Sequence, residues 1–522
     1  MAATKSFQVP FQLQDPALLK QQSFVDGKWV ESQSGARFEI VDPGTGKAFA
    51  SCPINDVQDV DPAVQASHEA FERYRTTTPR QRAKWMLRWH DLISASKDDI
   101  ATIITYETGK PRAEALAELD YALGFPWWFA GEAERTHGTT GHSAIADRRT
   151  ITIKQPIGVA VALVPWNFPV AMILRKASAA LAAGCTMIIK PSPETPLSVL
   201  TLTDLAVRAG FDQGALTVLT TDLNCTPGLS ERLCKHPLVR KVTFTGSTRV
   251  GKLVARHCSE GLKKVTLELG GNCPFIVFND ADIRKAVDAL VLLKWRHAGQ
   301  ACITANRVFV QSGVYDEFLR LLIEETGKLT IGHGDSKGTT LGPLTTPSAV
   351  DKVESQVKDA VANGGNLAHG GKRPGNLGEG YYFEPTIISD ANFNMQVANE
   401  ETFGPLCALF KFDTEEEAVR SANDTSLGLA SYFFTRDVNR SWRLLEKLEA
   451  GMIGMNTGKF YVPSSCKFQH ETLAKLKLGN QSAVELPFGG IKESGYGKES
   501  GKDVAIEEYL ITKSATLTVS ND

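Results

Sequence analysis

The sequence predicts an α/β fold, and two patterns along the chain support this prediction. Short apolar runs rich in Val, Ile and Ala, such as 158–164, alternate with helical patterns through most of the chain. The intervening stretches 172–183 and 197–210 have helical periodicity, and Gly210 is a suitable residue to end the second of them. Such alternation is typical of βαβ units, so we expect mostly parallel sheets covered by helices.

Further strands are expected along the chain at regular intervals. A helix is predicted at 247–258, after the strand at 241–245, and a second α/β series begins at 281–294. Segment 144–155 alternates Thr and Ile with charged residues, which predicts an exposed ribbon or a pairing edge. The remaining predicted strands of the first series are 186–190, 216–220, 241–245 and 265–269.

Length, composition and charge exclude several classes of function. The 522 residues indicate roughly three domains at the usual domain size. Because 57 Lys and Arg nearly balance 59 Asp and Glu, no broad basic surface for nucleic acid is expected. The most apolar run, 157–174, is interrupted by Pro165, Asn167 and Pro169, which argues against a membrane span. We therefore expect neither nucleic acid nor a membrane as a partner.

The cysteine pattern predicts a reducing compartment. The nine cysteines extend from Cys52 to Cys466 without a CxxC pair, so a disulfide framework is not expected. The first 20 residues contain no Arg and no apolar signal core, and we expect a cytoplasmic location. We predict no metal site.

Three short motifs stand out because chemistry-bearing residues follow predicted strands or helices. They are PWNFP at 165–169, LELGG at 267–271 and GQAC at 299–302. Each motif alone is weak evidence, since a single Cys is more often a small buried hydrophobic residue and a Glu before Gly-Gly is more often solvated. Their order and spacing together are much more specific.

Taken together, these motifs resemble those of the aldehyde dehydrogenase superfamily, and the resemblance covers nearly the whole chain. Within that superfamily the chain is most similar to the succinate-semialdehyde dehydrogenases. The resemblance implies a Rossmann-type cofactor domain, an α/β catalytic domain and a small β oligomerisation element. Four further motifs match: FVDGKW at 24–29, FTGST at 244–248, EETFGP at 400–405 and PFGG at 487–490.

The resemblance assigns three catalytic residues. Cys302 occupies the nucleophile position, and a thiolate is suited to adding to an aldehyde carbonyl and leaving later. The Asn167 amide and the Cys302 backbone N–H are expected to stabilise the oxyanion. Glu268 matches the general base that activates water to hydrolyse a thioester, and its apolar neighbours favour a raised pKa.

A dinucleotide cofactor is implied by the same resemblance, although the chain contains no GxGxxG. The segment 246–252 nearly spells a P-loop, but Leu253 replaces the required Ser or Thr, which disfavours that alternative. The FTGS turn instead opens a helix whose N-terminus meets the pyrophosphate. The expected cofactor-binding residues are Trp166, Lys190, Ser192, Gly246, Ser247, Leu269, Glu401 and Phe403.

The choice between NAD and NADP stays open. NAD-preferring relatives usually carry a Glu three residues after the ribose Lys, where this chain has Pro193, with Glu194 one position later. Lys190 is therefore available for a 2′-phosphate, and NADP use is permitted.

Two arginines and a serine predict the substrate class. Arg175, Arg296 and Ser482 match the residues that hold the distal carboxylate in the succinate-semialdehyde group. Each arginine alone is also explained by an ion pair. Glutarate semialdehyde, one methylene longer, is the close alternative. Thr304 stands where some members carry a second Cys, so the redox switch of those members is not expected.

The chain carries an unusual insertion before the PFGG motif. The family has about seven residues here, whereas this chain has the 28 residues 459–486, an excess of about 21 located at 459–479. A surface-loop elaboration is one interpretation. We favour translated, unspliced intron sequence, since 458–459 and 478–479 are compatible with splice-site codons. Because the insertion ends just before Ser482, we expect it to weaken turnover.

The predicted organisation has two large domains and a small bridging element, and a homotetramer or homodimer is implied by resemblance. A non-catalytic relative, or an isoform inactivated by its insertion, is the alternative class. The predicted cofactor-binding domain is 1–138 with 160–272, the catalytic domain 273–495, and the oligomerisation element 139–159 with 496–522.

Overall fold

The computed structural model describes residues 7–457, 483–501 and 503–519. Ser482, Cys466 and the predicted insertion 459–479 lie outside the described residues. The described helices are α1 (Val57–Tyr74), α2 (Pro79–Ala95), α3 (Lys97–Thr108), α4 (Arg112–Ala122), α5 (Gly124–Glu134), α6 (Pro169–Ala183), α7 (Pro196–Ala209), α8 (Thr226–Lys235), α9 (Thr248–Ser259), α10 (Ile283–Lys294), α11 (Tyr315–Thr326), α12 (Pro347–Ala362), α13 (Gln396–Asn399), α14 (Glu415–Asn423), α15 (Val438–Lys447) and α16 (Val504–Glu507).

Short strands and three 3₁₀ turns complete the described secondary structure. The turns are Pro16–Leu18, Arg296–Gly299 and Ser312–Val314. The strands are β1 (Ser23–Val25), β2 (Lys28–Val30), β3 (Arg37–Asp42), β4 (Lys47–Pro53), β5 (Thr140–His142), β6 (Arg148–Pro156), β7 (Val159–Leu163), β8 (Thr186–Lys190), β9 (Leu216–Val218), β10 (Val239–Thr245), β11 (Lys264–Glu268), β12 (Cys273–Val277), β13 (Ala305–Gln311), β14 (Asn366–His369), β15 (Thr386–Ser389), β16 (Leu406–Phe412), β17 (Leu427–Gly428), β18 (Ala430–Phe434), β19 (Met452–Met455), β20 (Ile491–Lys492), β21 (Gly495–Tyr496) and β22 (Leu510–Thr518).

Two large sheets, one three-stranded sheet and the two-stranded pairs β3-β4 and β17-β20 organise the described residues, which confirms the predicted α/β class. The first sheet has the order β2-β1-β9-β8-β7-β10-β11-β21, with parallel pairing from β9 to β11. The second has the order β14-β15-β16-β13-β12-β18-β19 and is parallel except at β14. The third is the ribbon β22-β6-β5. β21 returns to the first sheet near the predicted end of the catalytic domain.

Predicted and observed elements agree closely in the first series. The strand expected at 158–164 is observed as β7, and every residue of β7 and β8 is buried because helices cover both faces of the sheet. The helix expected at 172–183 begins earlier, at Pro169, since proline fits the first turn of a helix. Gly210 has φ of 99° and ends α7 in the left-handed conformation, as predicted.

The first sheet changes winding direction between β7 and β10, which creates a crevice at the carboxyl ends of its strands. β8 and β9 follow on one side of β7, whereas β10 and β11 lie on the other. In doubly wound sheets ligands bind at such a switch point. Asn167, Lys190, Ser247 and Glu268 all lie at the carboxyl ends of these strands or in the loops directly after them.

The ribbon β22-β6-β5 is the most exposed part of the sheet structure. β22 pairs with β6 along nine residues, and all residues of β22 except Leu510 are exposed. Segment 144–155, predicted as an exposed ribbon, contains most of β6. None of the helices described is long and apolar enough to cross a membrane.

Candidate active site

Three predicted catalytic residues converge from different loops. Asn167 lies in the loop between β7 and α6, Glu268 is the last residue of β11, and Cys302 precedes β13 of the second sheet. Asn167 Nδ2 donates a hydrogen bond to the Gln300 carbonyl oxygen at 3.0 Å, which joins the first loop to the cysteine loop. The site therefore forms between the two large sheets.

Burial keeps the Cys302 thiol protonated in this state of the protein. Desolvation raises the pKa of Cys302 to about 12, and the charges of Glu401 and Glu268 act in the same direction. Arg175 and Arg296 oppose this shift. A thiol in such surroundings needs a base, or added positive charge from a bound ligand, to become the nucleophilic thiolate.

Glu268 is the most isolated carboxyl group of the site. Its side chain is buried, and neither carboxyl oxygen has a hydrogen-bond partner among the described residues. Burial, followed by the charge of Glu499, raises the pKa of Glu268 well above its ordinary value, although Lys176 and Arg175 partly offset this. The raised pKa predicted from the apolar neighbours of Glu268 is confirmed. Such a group suits proton transfer near neutral pH.

A buried ion pair lies behind Glu268. Lys176, the residue after Arg175 in α6, forms an ion pair with Glu499 and donates to Thr245 Oγ1 at 2.8 Å. Both charged residues are at most 5% exposed, so the charge of Glu499 reaches Glu268 through a medium of low dielectric constant.

The loop before Cys302 has an unusual backbone. His297 and Ala298 have φ of 48° and 51°, a left-handed conformation that is strained for residues with a side chain. Gly299 follows with φ of 76°, and a Cβ there would lie 2.2 Å from the Gly404 carbonyl oxygen. The half-buried carboxyl group of Glu114 accepts a hydrogen bond from His297 N at 2.7 Å, which holds the strained turn in place.

Both predicted substrate arginines are buried beside the catalytic residues. The Arg175 guanidinium carbon lies 3.9 Å from the centre of the Phe488 ring, and Nη2 donates to Tyr121 Oη at 2.7 Å. Arg296 lies 4.9 Å from the centre of the Phe168 ring. Both guanidiniums lower the pKa of the Cys302 thiol, against the larger opposing effects of burial and Glu401. Buried guanidinium groups are suited to attracting an anion.

The PFGG motif closes one side of this pocket. Phe488 stacks on Arg175, and a Cβ at Gly489 would lie 2.8 Å from Glu268 Oε1. Only glycine therefore leaves room for the carboxylate at this point. The PFGG motif at 487–490 follows the predicted insertion 459–479 after seven residues.

The predicted phosphate-binding residues lie around the crevice of the first sheet. Ser247 is the N-cap of the 12-residue helix α9, accepts a hydrogen bond from Val250 N, and is itself exposed. Gly246 N donates to the Glu268 carbonyl oxygen at 3.0 Å, so the turn is fixed against the strand that carries the base. The N-terminus of such a helix favours a phosphate anion.

Lys190 supplies a buried positive charge at the end of β8. The residue is 6% exposed, and the described residues form no ion pair with it. Burial lowers the pKa of Lys190 to about 8, while the charge of Glu194 acts in the opposite direction. Ser192 donates a hydrogen bond to the Glu194 carboxylate, so Ser192 and Glu194 lie side by side in the loop after β8. A lysine buried without a counter-ion fits the anionic part of a dinucleotide.

The remaining predicted cofactor residues lie between this crevice and Cys302. The ring of Trp166 contacts that of Phe403 edge-on, with 5.6 Å between centres. Glu401 accepts a hydrogen bond from Gly271 N at 3.0 Å, and burial raises its pKa to about 7. Leu269 is buried against Gly251 of α9. The structure thus places Trp166 beside Phe403, Glu401 beside Gly271, and Leu269 beside α9.

Several residues of the site were not predicted from sequence. For Lys176 there was a weak indication in the sequence, since this residue directly follows the predicted substrate arginine Arg175. Glu499 is its ion-pair partner. The others lie in α4 or just before it, far from every motif, and only the folded chain brings them to the site. They are Lys110, Glu114, Glu118 and Tyr121.

Comparison with known proteins agrees with this geometry, and the chain belongs to the aldehyde dehydrogenase family, whose model matches residues 29–469. It is 46% identical over 496 residues to succinate-semialdehyde dehydrogenase [NADP(+)] 1 of Schizosaccharomyces pombe, covering 95% of each chain. It is 44% identical to a glutarate-semialdehyde dehydrogenase of Pseudomonas putida, covering 97% of this chain and 100% of that protein. A crystal structure of an NADP-dependent enzyme of E. coli superposes with a TM-score of 0.91 at 42% identity, covering 97% of this chain and 100% of the other.

The raised pKa of Glu268 generates a pH prediction. As a base Glu268 must be ionised, so kcat should rise as the pH increases through the raised pKa of Glu268 and level off once Glu268 is deprotonated. We expect Glu268→Gln to remove this rise and to lower kcat by about 100-fold or more. Steady-state assays across the pH range measure both effects.

Glu107→Gln is the matched control for this experiment. Glu107 is also buried with its pKa raised, to about 8, but it caps α7 outside the catalytic pocket. This variant should keep the pH dependence of kcat. An unchanged pH profile in Glu268→Gln would contradict the assignment.

Proposed function

We propose that this protein oxidises succinate semialdehyde to succinate with reduction of NADP+ or NAD+. The observation that carries the proposal is the convergence of Cys302, Glu268 and Asn167 with two buried arginines in one pocket. A nucleophile, a base and an oxyanion donor are the groups that aldehyde oxidation through a thioester needs. Membership of the family and the names of the similar proteins support the same reaction.

In the proposed reaction Cys302 forms the first covalent bond. The thiol gives its proton to solvent water and its sulfur adds to the aldehyde carbon, giving a thiohemiacetal anion whose oxygen is stabilised by Asn167 Nδ2 and the Cys302 N–H. This requires Asn167 to exchange its hydrogen bond to the Gln300 carbonyl for one to the substrate. When bound, the oxidised nicotinamide cofactor accepts the hydride that leaves the carbon.

Glu268 acts in the second half of the reaction. Its unpartnered carboxylate takes a proton from water, the water oxygen adds to the thioester carbon, and the carbon–sulfur bond breaks to release the acid and Cys302. The cofactor would be held by Ser247 and the α9 N-terminus at its pyrophosphate, by Lys190 at the adenosine ribose, and by Glu401 and Phe403 near the nicotinamide ribose.

The arginines favour an aldehyde with a distal carboxylate. Arg175 and Arg296 are buried and place positive charge beside Cys302, and a guanidinium binds a planar carboxylate in a defined orientation. Glutarate semialdehyde remains the alternative substrate, because one methylene changes selectivity only modestly and a similar protein carries that name.

One assay tests the proposed function. The purified protein is mixed with NADP+ or NAD+ and succinate semialdehyde, glutarate semialdehyde or butanal, and reduced cofactor is measured by absorbance. We expect the highest kcat/KM with succinate semialdehyde and no turnover in Cys302→Ala. A folded protein inactive with both cofactors would support the alternative of a catalytically impaired isoform.

Substitution of Arg175 tests the substrate class. We expect Arg175→Leu to raise KM for succinate semialdehyde about tenfold or more, because a charge-assisted hydrogen bond to the carboxylate is lost. KM for butanal, which has no carboxylate, should change little. The control is Arg82→Leu, since Arg82 is a buried arginine bonded to backbone carbonyls outside the pocket. Equal loss with both aldehydes would count against the carboxylate clamp.

The insertion generates a second proposal. The family match ends at residue 469, inside the predicted insertion, although the PFGG motif follows at 487–490. This supports 459–479 as sequence added to a family-sized chain. A variant lacking 459–479 should show higher kcat/KM and an unchanged or higher unfolding temperature. Equal kcat/KM for the two forms would refute the effect on turnover, and a gene without splice signals there would refute the intron origin.

We further propose that the protein forms a homodimer or homotetramer through β22 and is located in the cytoplasm. β22 is an exposed edge strand, and β19 ends the second sheet beside exposed Trp442 and Val438. An exposed edge is suited to pairing with the sheet of a second copy. The eight described cysteines are free, which supports a reducing compartment.

Light scattering tests the assembly. Ile511→Lys/Leu517→Lys places charges on β22, where both apolar side chains are exposed, and should reduce the molar mass toward that of one chain. Leu262→Lys, at the most exposed large hydrophobic residue described, is the control and should leave the mass unchanged. A monomeric parent protein would contradict the proposal.

A further inference from the structure

One face of α4 contacts the cysteine loop, the start of α6 and Arg175. Glu114, Glu118 and Tyr121 follow each other at helical spacing and so lie on the same side of the helix. Glu114 binds His297 N of the cysteine loop, and Tyr121 binds Arg175. Glu118 faces the loop that carries Asn167. This placement suggests that α4 acts as a scaffold for the site.

Lys110 and Glu118 form a buried ion pair beneath Asn167. Lys110 Nζ lies 2.5 Å from Glu118 Oε2, and the two side chains are 1% and 0% exposed. Lys110 also donates to the Asn167 carbonyl oxygen at 2.8 Å and lies 4.2 Å from the centre of the Phe168 ring. The cation is thus bonded directly to the backbone of the predicted oxyanion residue.

Glu118 fixes the other end of the same loop. Its Oε1 accepts hydrogen bonds from Val170 N at 3.0 Å and Ala171 N at 3.1 Å, the otherwise unpaired donors in the first turn of α6. No side chain of the helix itself caps this end. One carboxylate therefore ties the start of α6 to Lys110, and Lys110 ties both to Asn167.

These contacts fix the position of Asn167 and do not place a charge at the reacting atoms. Neither residue is bonded to Cys302 or Glu268 in the described structure. An oxyanion donor is effective only when it is held where the charge develops, and a misplacement of about 1 Å is costly. Fixing the Asn167 backbone on both sides limits the positions that its amide can reach.

We propose that Lys110 and Glu118 are positioning residues that act through Asn167 on the addition of Cys302 to the carbonyl. This rests on the roles of Asn167 and Cys302 in the proposed function. It predicts that loss of the pair slows reactions that pass through an oxyanion and spares reactions of the same thiol that do not.

The test compares two reactions of Cys302 that need no cofactor. p-Nitrophenyl acetate acylates the sulfur through a tetrahedral oxyanion, with release of p-nitrophenolate and the thiol proton. Iodoacetamide alkylates the same sulfur by displacing iodide, without an oxyanion. Rates of p-nitrophenolate release and of alkylation, followed by mass spectrometry, are measured with Cys302→Ala as the blank.

The variant is Lys110→Met/Glu118→Gln, which avoids leaving one buried charge unpaired. The introduced amide oxygen can still accept from the α6 N–H groups, whereas the introduced thioether has no proton to donate to the Asn167 carbonyl. We expect acylation to slow about tenfold while alkylation stays within about twofold. In an Asn167→Ala background the same double change should alter the acylation rate by less than about twofold. If the pair acts through the Asn167 amide, its loss has no further effect once that amide is absent.

Glu107→Gln again serves as a control, because Glu107 caps α7 with the same kind of hydrogen bonds but does not contact Asn167. Its acylation rate should match that of the parent. Parallel loss of acylation and alkylation, or additive effects with Asn167→Ala, would overturn the proposal. If Asn167→Ala leaves the acylation rate unchanged, the proposed role of Asn167 is wrong. If Asn167→Ala slows acylation but Lys110→Met/Glu118→Gln does not, the proposed function stands and the positioning role of the pair is refuted.

Discussion

Glu268 lies in a pocket where no described residue donates a hydrogen bond to its carboxyl group, and the chemistry of the site depends on this isolation. Desolvation raises the pKa values of both Glu268 and Cys302, which favours the protonated form of each group. Arg175 and Arg296 oppose the shift at Cys302 without cancelling it. Charge brought by substrate and cofactor is therefore expected to decide when the thiolate forms.

The fold creates this isolation by placing the catalytic groups between two sheets. Strand β11 delivers Glu268 at its carboxyl end, and the strained turn before β13 delivers Cys302 from the second sheet. Side chains of α4 and the residues before it then hold these loops by hydrogen bonds to their backbone. Glu114 binds the cysteine loop, and the buried pair Lys110 and Glu118 binds the Asn167 loop. Removing one partner of such a pair leaves an uncompensated buried charge, which is strongly destabilising.

Sequence was sufficient for the fold class because that class depends on local pattern. The buried run of β7 and the glycine that ends α7 are visible in a short window of residues, whereas PWNFP, LELGG and GQAC indicate a site only in combination. Glu118 was not predictable in this way. It lies 49 residues before Asn167 in the chain, and its helix shows no motif, so only packing reveals that its carboxylate caps α6.

The left-handed turn at His297 was equally invisible to the sequence patterns. Neither His297 nor Ala298 favours positive φ, and the conformation is maintained by tertiary contacts such as the hydrogen bond from His297 N to Glu114. Contacts between residues distant in sequence thus determine where the predicted nucleophile Cys302 lies, whereas the sequence motif indicates only which residue it is.

In the proposed reaction Cys302 carries the acyl group, and Glu268 activates the water that removes it. Intact-protein mass spectrometry of Glu268→Gln, mixed with succinate semialdehyde and NADP+, measures this directly. The account predicts one succinyl adduct per chain, located on Cys302 by peptide mapping and absent when the cofactor is omitted. An unmodified Cys302 in a variant that has lost turnover, or full turnover without Glu268, would contradict it.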